Sequence, residues 1–295
     1  MDGLERFLLV ARAVELGHSH AAEPYGGHLQ PLAERSLLHG PRLPTPGFGH
    51  IRCIFDHVGI RASDREASQA FYDTVLATLG IETTYDGDDF VEWDDWSLMA
   101  ARLGKPVTRG LHIGVPAASR DVVDEFWRAG LAAGYRSDGE PGPRPEYGDD
   151  YYGGFLLDPD ANSAEAVHHA DKPRGNGAVD HLGIRVGDVE ASKRFYELVA
   201  PFGRFELHHD SPERARFVAA RASFSVMAGS PTQSVHIAFP ANANETVDGF
   251  HAALTEAGYR DDGPPGERPI YHRGYYGAYV LDPDGHSIEI VCHNR

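Results

Sequence analysis

The sequence predicts an α+β fold built from four βαβββ modules. Two observations support this prediction: most of the chain is duplicated, and each copy alternates short strand-like segments with amphipathic helices. A shift of 124 residues, from His57 to His181, carries Asp56–Arg61 onto Asp180–Arg185. The same shift carries Leu157–Asp160 onto Leu281–Asp284. One offset that holds across such distant stretches indicates two copies of a single unit.

The domain boundaries follow from the duplication. We place the copies, called repeat 1 and repeat 2, at residues 53–170 and 178–295, joined by a short flexible linker. Residues 1–50 form an N-terminal extension outside the repeat, with one short amphipathic helix near its start. Five histidines lie in its Pro- and Gly-rich part: His18, His20, His28, His39 and His50. They could bind a metal, but their irregular spacing favours a loosely packed extension.

The first half of each repeat begins with a strand and continues into a helix. In repeat 1, alternation predicts a strand over Cys53–Ala62, and Ser63 with Glu66 predicts a capping box that opens the helix. The apolar stripe of this helix consists of Ala67, Ala70, Phe71, Val75 and Leu79. Short strands follow to about Leu103.

The second half of repeat 1 repeats this order. A strand begins near Leu111, and a helix runs from about Arg120 to Ala133, where Gly134 provides a C-terminal stop. Strands over 154–157 and 163–167 complete the module. Repeat 2 has the same order, with Asp188 as an N-cap and Gly258 as a helix end.

Charge and composition exclude several classes of partner. The net charge of −17 opposes binding to phosphate backbones and to anionic lipids, so neither nucleic acid nor a membrane is an expected partner. The N-terminus lacks the pattern of a secretory signal. The two cysteines, Cys53 and Cys292, form no disulfide framework. We therefore expect a cytoplasmic protein.

Three strands of repeat 2 carry residues that could bind a metal. His181, His236 and Glu289 each lie on the strand face opposite the apolar one, and Gly183 and Ala238 leave room beside them. Two imidazoles and one carboxylate suit a divalent metal with open positions for substrate. Repeat 1 offers a second, equivalent set: His57, His112 and Glu165. Taken singly, each residue is more typical of a structural histidine or a solvent-facing glutamate.

These motifs identify a family resemblance. Asp180–Ile184, Val235–Phe239 and Tyr276–Glu289 resemble the vicinal oxygen chelate superfamily, which contains glyoxalases, bleomycin- and fosfomycin-resistance proteins and extradiol dioxygenases. The resemblance implies that paired βαβββ modules form cup-shaped mixed β-sheets and that both ligand sets hold a metal. The paired modules could belong to one repeat or to different repeats.

Departures from the family patterns narrow the predicted activity. Glyoxalase I uses a fourth carboxylate ligand, and neither Ser97–Arg102 nor Ser223–Ala228 contains a glutamate, so true glyoxalase I activity is disfavoured. Tyr279 and His272 match the terminal signature of extradiol dioxygenases, which implies that they assist catalysis. The acid–base histidine of those enzymes has no counterpart in Arg216–Val226. His208 and His209 lie further upstream and are poor substitutes.

The same comparison favours repeat 2 as the working site. Repeat 1 has Gly148 in place of His272 and Phe155 in place of Tyr279. Among substrate-binding candidates, Arg61 and Arg185 share the face of the first-strand histidines. They could bind a carboxylate or phosphate, or they could form surface ion pairs. A tyrosine of repeat 2, Tyr275, could line the pocket or simply pack on its strand.

We therefore expect a divalent-metal-dependent enzyme that binds a small oxygen-rich molecule by bidentate chelation. Fe(II) and Mn(II) are the expected ions, and Zn, Ni or Co would also fit. Iron indicates dioxygenase chemistry, whereas the other metals indicate lyase or isomerase chemistry. The alternative is a non-catalytic protein that sequesters an antibiotic, and a scaffold with relic sites is a third option. The expected partners are a small-molecule substrate and, as an open alternative, a second copy in a homodimer.

Overall fold

The computed structural model describes residues 54–102, 105–169, 177–219, 222–269 and 271–294. The helix and the histidine-rich stretch predicted within residues 1–50 lie outside the described residues, as do Cys53 and most of the linker. In the part of the chain that the structure describes, no helix is long and apolar enough to cross a membrane.

The structure confirms four βαβββ modules. Module 1 contains β1 (His57–Ala62), α1 (Arg65–Thr78), β2 (Tyr85–Asp86), β3 (Phe90–Trp93) and β4 (Trp96–Ala100). Module 2 contains β5 (His112–Pro116), α2 (Arg120–Ala132), β6 (Arg136–Pro143), β7 (Tyr151–Leu157) and β8 (Ser163–His169). Module 3 contains β9 (His181–Val186), α3 (Val189–Gly203), β10 (Glu206–Ser211), β11 (Arg214–Val218) and β12 (Ser223–Ala228). Module 4 contains β13 (His236–Pro240), α4 (Asn244–Glu256), β14 (Asp261–Glu267), β15 (Tyr276–Leu281) and β16 (Ser287–Cys292).

The helix caps match the predictions except at α1. Asp188 caps α3 as predicted, because its carboxylate accepts a hydrogen bond of 2.9 Å from the backbone N–H of Ala191. At α1 the cap is Asp64, not Ser63. The Ser63 hydroxyl instead donates to Asp160 Oδ1 at 2.6 Å, which ties module 1 to module 2. The predicted capping box is therefore wrong by one residue.

The modules pair across the repeats. The first sheet joins modules 1 and 4 in the order β14-β15-β16-β13-β1-β4-β3-β2. The second sheet joins modules 2 and 3 in the order β10-β11-β12-β9-β5-β8-β7-β6. The central seams are antiparallel, with β1 on β13 and β9 on β5. The question that the sequence left open is thus answered: each sheet takes one half from each repeat.

Helix packing holds the two halves of each repeat together. In repeat 1 the Phe71 ring of α1 meets the Tyr135 ring of module 2 edge-on, at 4.8 Å between centroids. In repeat 2 the Phe195 ring of α3 meets the Tyr259 ring of module 4 at 4.9 Å. The apolar strand faces and the helices form one continuous core. The opposite strand faces are left to line the candidate sites.

Candidate metal centres

The inner face of the second sheet brings together three of the predicted ligands. On β9, Leu182 and Ile184 pack into the core, so His181 lies on the other face. His112 Nε2 lies 3.0 Å from His181 Nε2 and 3.1 Å from Glu165 Oε2. His181 Nε2 lies 3.2 Å from the same carboxylate oxygen. We call this group the second-sheet centre.

The first sheet carries the corresponding first-sheet centre. It consists of His57, His236 and Glu289. His236 Nε2 lies 3.1 Å from His57 Nε2 and 3.1 Å from Glu289 Oε2. The separation between His57 Nε2 and Glu289 Oε2 is 3.5 Å. In both centres the three ligand-type atoms lie within 4.8 Å of one another.

The grouping of residues predicted within each repeat is corrected by the structure. His181 lies with His112 and Glu165 rather than with His236 and Glu289, and His57 takes its place in the other set. The reason is the strand pairing, since β9 lies beside β5 and β1 lies beside β13. The six residues are those that the sequence singled out, but the two first-strand histidines are exchanged between the sets.

A second layer of hydrogen bonds orients the ligands. In the second-sheet centre the Tyr151 hydroxyl donates to Glu165 Oε1 at 2.7 Å, and Asp180 Oδ2 lies 2.9 Å from His181 Nδ1. Tyr275, predicted to bind substrate, donates instead to Glu289 Oε1 at 2.7 Å in the first-sheet centre. A carboxylate bonded to Nδ1 directs the Nε2 lone pair of a histidine toward a metal.

The first-sheet centre has a longer chain of polar groups behind it. Asp56 Oδ1 lies 3.0 Å from His57 Nδ1, and Asp56 Oδ2 lies 2.8 Å from His293 Nε2. His293 Nδ1 in turn lies 2.7 Å from Nε2 of the predicted catalytic residue His272. His272 therefore reaches the centre through two other side chains, His293 and Asp56, rather than directly. Asp56 and Asp180 were not predicted as site residues, although an Asp-His pair begins the first strand segment of both repeats.

Buried opposite charges set the ionisation of the second-sheet centre. Burial alone would raise the pKa of Glu165, but hydrogen bonds with His112 and His181 lower it to about 2. Burial alone would lower the pKa of His181, but hydrogen bonds with Asp180 and Glu165 outweigh it and raise the pKa to about 9. Without a metal, a protonated His181 thus lies between the carboxylates of Asp180 and Glu165 at neutral pH.

Only small residues fit beside the ligands. A Cβ added to Gly114 would collide with the His181 imidazole, and one added to Gly153 would collide with the Glu165 carboxylate. A Cβ added to Gly277 would likewise collide with the Glu289 carboxylate. These glycines are required for close approach of the side chains, and Gly114 is the residue that pairs with His181 across the β5–β9 seam.

The two inner faces differ in the space they leave. A cavity of about 1430 Å³ opens on the second-sheet centre and is lined by His112, Glu165 and His181. On the first sheet, a buried cluster of Phe90 and Met99, with Tyr85 packed against it, covers part of the equivalent surface. The sequence favoured repeat 2 as the working site; the open cavity instead takes two of its three ligand-type residues from repeat 1.

The remaining predicted residues lie in different surroundings. Arg185 lines the cavity of the second sheet, whereas Arg61 is buried in the first sheet with its guanidinium 3.9 Å from Met99 Sδ. Tyr279 is fully buried, with its ring 6.0 Å from that of His236. Four cavity residues were missed or discounted in the sequence analysis: His208, His209, Arg214 and Arg216. Arg214 and Arg216 alternate on β11, but the sequence does not show which face they point to. His208 and His209 are neighbours on β10, where the strand pairing shifts register between Leu207 and His209.

Comparison with known proteins agrees with this architecture. Residues 178–290 match the family model described as Glyoxalase/Bleomycin resistance protein/Dioxygenase superfamily. Glyoxalase I from Zea mays is 20% identical, with a TM-score of 0.62, and the alignment covers 81% of this chain and 92% of that one. A Bacillus subtilis protein provisionally named a dioxygenase is 14% identical, with a TM-score of 0.57 and coverages of 82% and 85%. At these identities the likeness shows the fold.

A shorter relative is closer in sequence. A glyoxalase/bleomycin resistance protein from Albidiferax ferrireducens T118 is 31% identical over 40% of this chain and 100% of its own, with a TM-score of 0.36. A search of curated proteins found no match. The chain belongs, through residues 178–290, to the Glyoxalase/Bleomycin resistance protein/Dioxygenase superfamily, and both of its sheets have the fold of that superfamily.

Proposed function

We propose that the protein is a divalent-metal-dependent enzyme that acts on a small oxygen-rich molecule at the second-sheet centre. The observation that carries this proposal is the cavity of about 1430 Å³, which opens directly on His112, Glu165 and His181. This volume is larger than the roughly 300–1,000 Å³ of typical small-molecule pockets, so the cavity has room for a substrate of drug-like or smaller dimensions. The superfamily match supports the same class of chemistry.

The ligand atoms fit a divalent ion. Three ligands on one face of an octahedral ion, each about 2.1 Å from it, lie about 3.0 Å apart. The atoms of the second-sheet centre are separated by 3.0, 3.1 and 3.2 Å. His112, Glu165 and His181 would therefore hold the metal. A bound ion supplies Lewis acidity, and Fe(II) adds dioxygen chemistry whereas Mn(II), Zn, Ni or Co would favour lyase or isomerase chemistry.

The side chains of the protein have separate tasks in this proposal. Tyr151 and Asp180 fix the orientation of Glu165 and His181 by hydrogen bonds. His208 and His209, on β10, line the cavity and can accept or donate a proton at substrate oxygen or carbon. Arg185 lines the same cavity and can bind a charged part of the substrate. The assisting role that the sequence predicts for Tyr279 and His272 would belong to the first-sheet centre and not to the reaction proposed here, with His272 acting through His293 and Asp56.

Metal analysis tests the proposal. The protein is purified without chelator, and its metals are identified and counted by mass spectrometry. We expect Glu165→Gln to lose the second-sheet metal and Glu289→Gln to leave it in place, because the two carboxylates belong to different sheets. If wild type contains no stoichiometric metal and His112→Ala gives the same result as wild type, the enzyme proposal is wrong.

Sequestration of a cationic antibiotic without chemistry is the second candidate. Four acidic residues also line the cavity: Asp138, Glu146, Asp149 and Asp150. Together with the net charge of −17 they would attract a basic drug. Thermal-shift measurements separate the candidates, since stabilisation by a basic antibiotic in metal-free protein favours sequestration, whereas stabilisation by metal favours the enzyme.

A further inference from the structure

The two sheets carry opposite charges at matching positions on their inner faces. In the second sheet, Arg216 pairs with Ser225, which pairs with Gly183 on β9. In the first sheet, the same ladder runs from Glu92 through Ser97 to Gly59 on β1. A glutamate in one sheet thus corresponds to an arginine in the other. This difference lies on the row of paired residues that ends on β9 in one sheet and on β1 in the other, the strands that carry His181 and His57.

The neighbouring ladder differs in the same way. Arg214 pairs with Met227 in the second sheet, whereas Phe90 pairs with Met99 in the first. Phe90 packs in a buried apolar cluster, but Arg214 lines the cavity. Two neighbouring positions on the same face of β11, those of Arg214 and Arg216, therefore carry positive charge in the sheet with the open cavity, whereas their counterparts in the first sheet do not.

Hydrogen bonds hold both guanidinium groups against the sheet. Arg214 donates from Nε and Nη2 to Ser225 Oγ, at 3.1 and 2.9 Å. Arg216 donates from Nη2 to Ser223 Oγ at 3.3 Å. Among the described residues, neither arginine forms an ion pair with a carboxylate. Their other N–H groups remain available to a ligand in the cavity.

Two neighbouring positive charges thus line the cavity with no carboxylate in direct contact with either among the described residues. Burial and the charge of Arg216 lower the pKa of the Arg214 guanidinium. Tyr147 and Tyr151 lie near this guanidinium, but a tyrosine hydroxyl is neutral at physiological pH and gives it no counter-charge. Tyr151 also donates to Glu165, so Arg214 lies near the outer layer of the second-sheet centre.

We propose that the substrate of the second-sheet centre carries a carboxylate or phosphate group, and that Arg214 and Arg216 bind this group. The inference rests on the proposed function, because it specifies the substrate class of the same site. Guanidinium groups bind such oxyanions with two parallel N–H···O bonds, which fixes orientation as well as charge. The attraction must be local, since the net charge of −17 repels anions at longer range.

Anion titrations of metal-free protein test this proposal. Inorganic phosphate and propionate are titrated separately by calorimetry at low ionic strength into wild type, Arg214→Gln, Arg216→Gln and the double variant. We expect saturable binding to wild type and at least a tenfold weaker Kd in the double variant. Arg216→Glu, which copies Glu92 of the first sheet, should abolish binding. The control is Arg128→Gln on α2, whose side chain is 60% exposed and paired with Glu125.

The outcomes separate this inference from the enzyme proposal. Binding of neither anion to wild type, or equal binding to the double variant, would overturn the arginine assignment whatever the metal content. Metal content is measured on wild type purified without chelator, before the metal is removed for the titrations. Absence of metal there would overturn the enzyme proposal while leaving the anion site intact. The tighter of the two anions identifies the group as phosphate or carboxylate.

Discussion

At the residue scale, a tyrosine on β7 supports the second-sheet centre from outside the ligand set. The Tyr151 hydroxyl donates to Glu165 Oε1 at 2.7 Å. We expect Tyr151→Phe to weaken metal binding by about tenfold or more, because outer hydrogen bonds of this kind hold the ligand in position. Manganese titration of metal-free protein measures the change. Tyr152→Phe is the matched control, since its hydroxyl bonds Asp124 instead, and an equal loss in both variants would contradict the prediction.

A buried carboxyl group outside the centres makes stability depend on pH. Asp95 Oδ1 accepts hydrogen bonds from the backbone N–H groups of Ala178 and Val179, at 2.7 and 3.1 Å. Burial raises its pKa from 3.8 to about 7, despite these bonds. Between these values the folded state holds a proton that the unfolded state has lost, so this group lowers stability as pH rises from about 4 to 7.

Asp95→Asn removes this dependence. Relative to wild type, the free energy of unfolding of the variant should rise between pH 5 and pH 8 by about 3 kcal/mol, because about two pH units separate pH 5 from the folded pKa and each is worth roughly 1.4 kcal/mol. Urea denaturation at both pH values measures the difference. If the free energies of unfolding of wild type and Asp95→Asn differ by the same amount at both pH values, Asp95 ionises normally.

Residue identity was the part of the site that the sequence predicted best. The six ligand-type residues follow from strand alternation, which is a local property. Arg214 and Arg216 were not found, because alternation shows that two residues share a face but not whether that face is filled. In the first sheet Phe90 occupies the position of Arg214, and only the packed structure distinguishes the two environments.

At the element scale, one helix lacks a side-chain cap that its counterpart has. Ser119 caps α2, accepting from the backbone N–H of Val122 at 3.3 Å, whereas Ala243 precedes α4 with no side-chain hydrogen bond. We expect Ala243→Ser to stabilise the protein by about 0.5–1 kcal/mol. Urea denaturation checks the gain, and Ser119→Ala should lose a similar amount. Destabilisation by Ala243→Ser would mean that the helix start has no room for the hydroxyl.

The elements themselves were largely predictable. Periodicity and glycine stops placed α2 within one residue of its observed end at Ala132. The cap of α1 was misplaced because Ser63 and Asp64 are both good N-cap residues, and the sequence does not show that Asp160 binds the Ser63 hydroxyl. Choices between adjacent caps depend on tertiary contacts.

At the scale of the whole molecule, the pairing of modules could not be read from the sequence. Strands β5 and β13 occupy equivalent positions in the two repeats, so β9 could pair with either of them through similar contacts. The observed pairing of β9 with β5 joins the repeats, and it exchanges the first-strand histidines between centres. Local patterns are satisfied by both arrangements; only the global packing differs.

Separation of the repeats tests this exchange. A fragment that contains only repeat 2 has His181, His236 and Glu289, but in the intact chain His181 lies in the other sheet from the latter two. We expect the fragment to bind metal only as a dimer, in which His181 of one copy completes the set of its partner. Light scattering and metal analysis across a range of protein concentrations measure this. Stoichiometric metal in a monomeric fragment would show that a single repeat can close on itself.

The exchanged strands also have a consequence for inheritance. Each centre takes residues from both halves of the gene product, so a deletion or frameshift that removes either half damages both centres at once. Natural selection for one centre therefore preserves the scaffold of the other, even where that other has no activity to select. The two sheets can then diverge at positions such as Phe90 and Arg214, where a change alters the inner face of one sheet and leaves the other sheet intact.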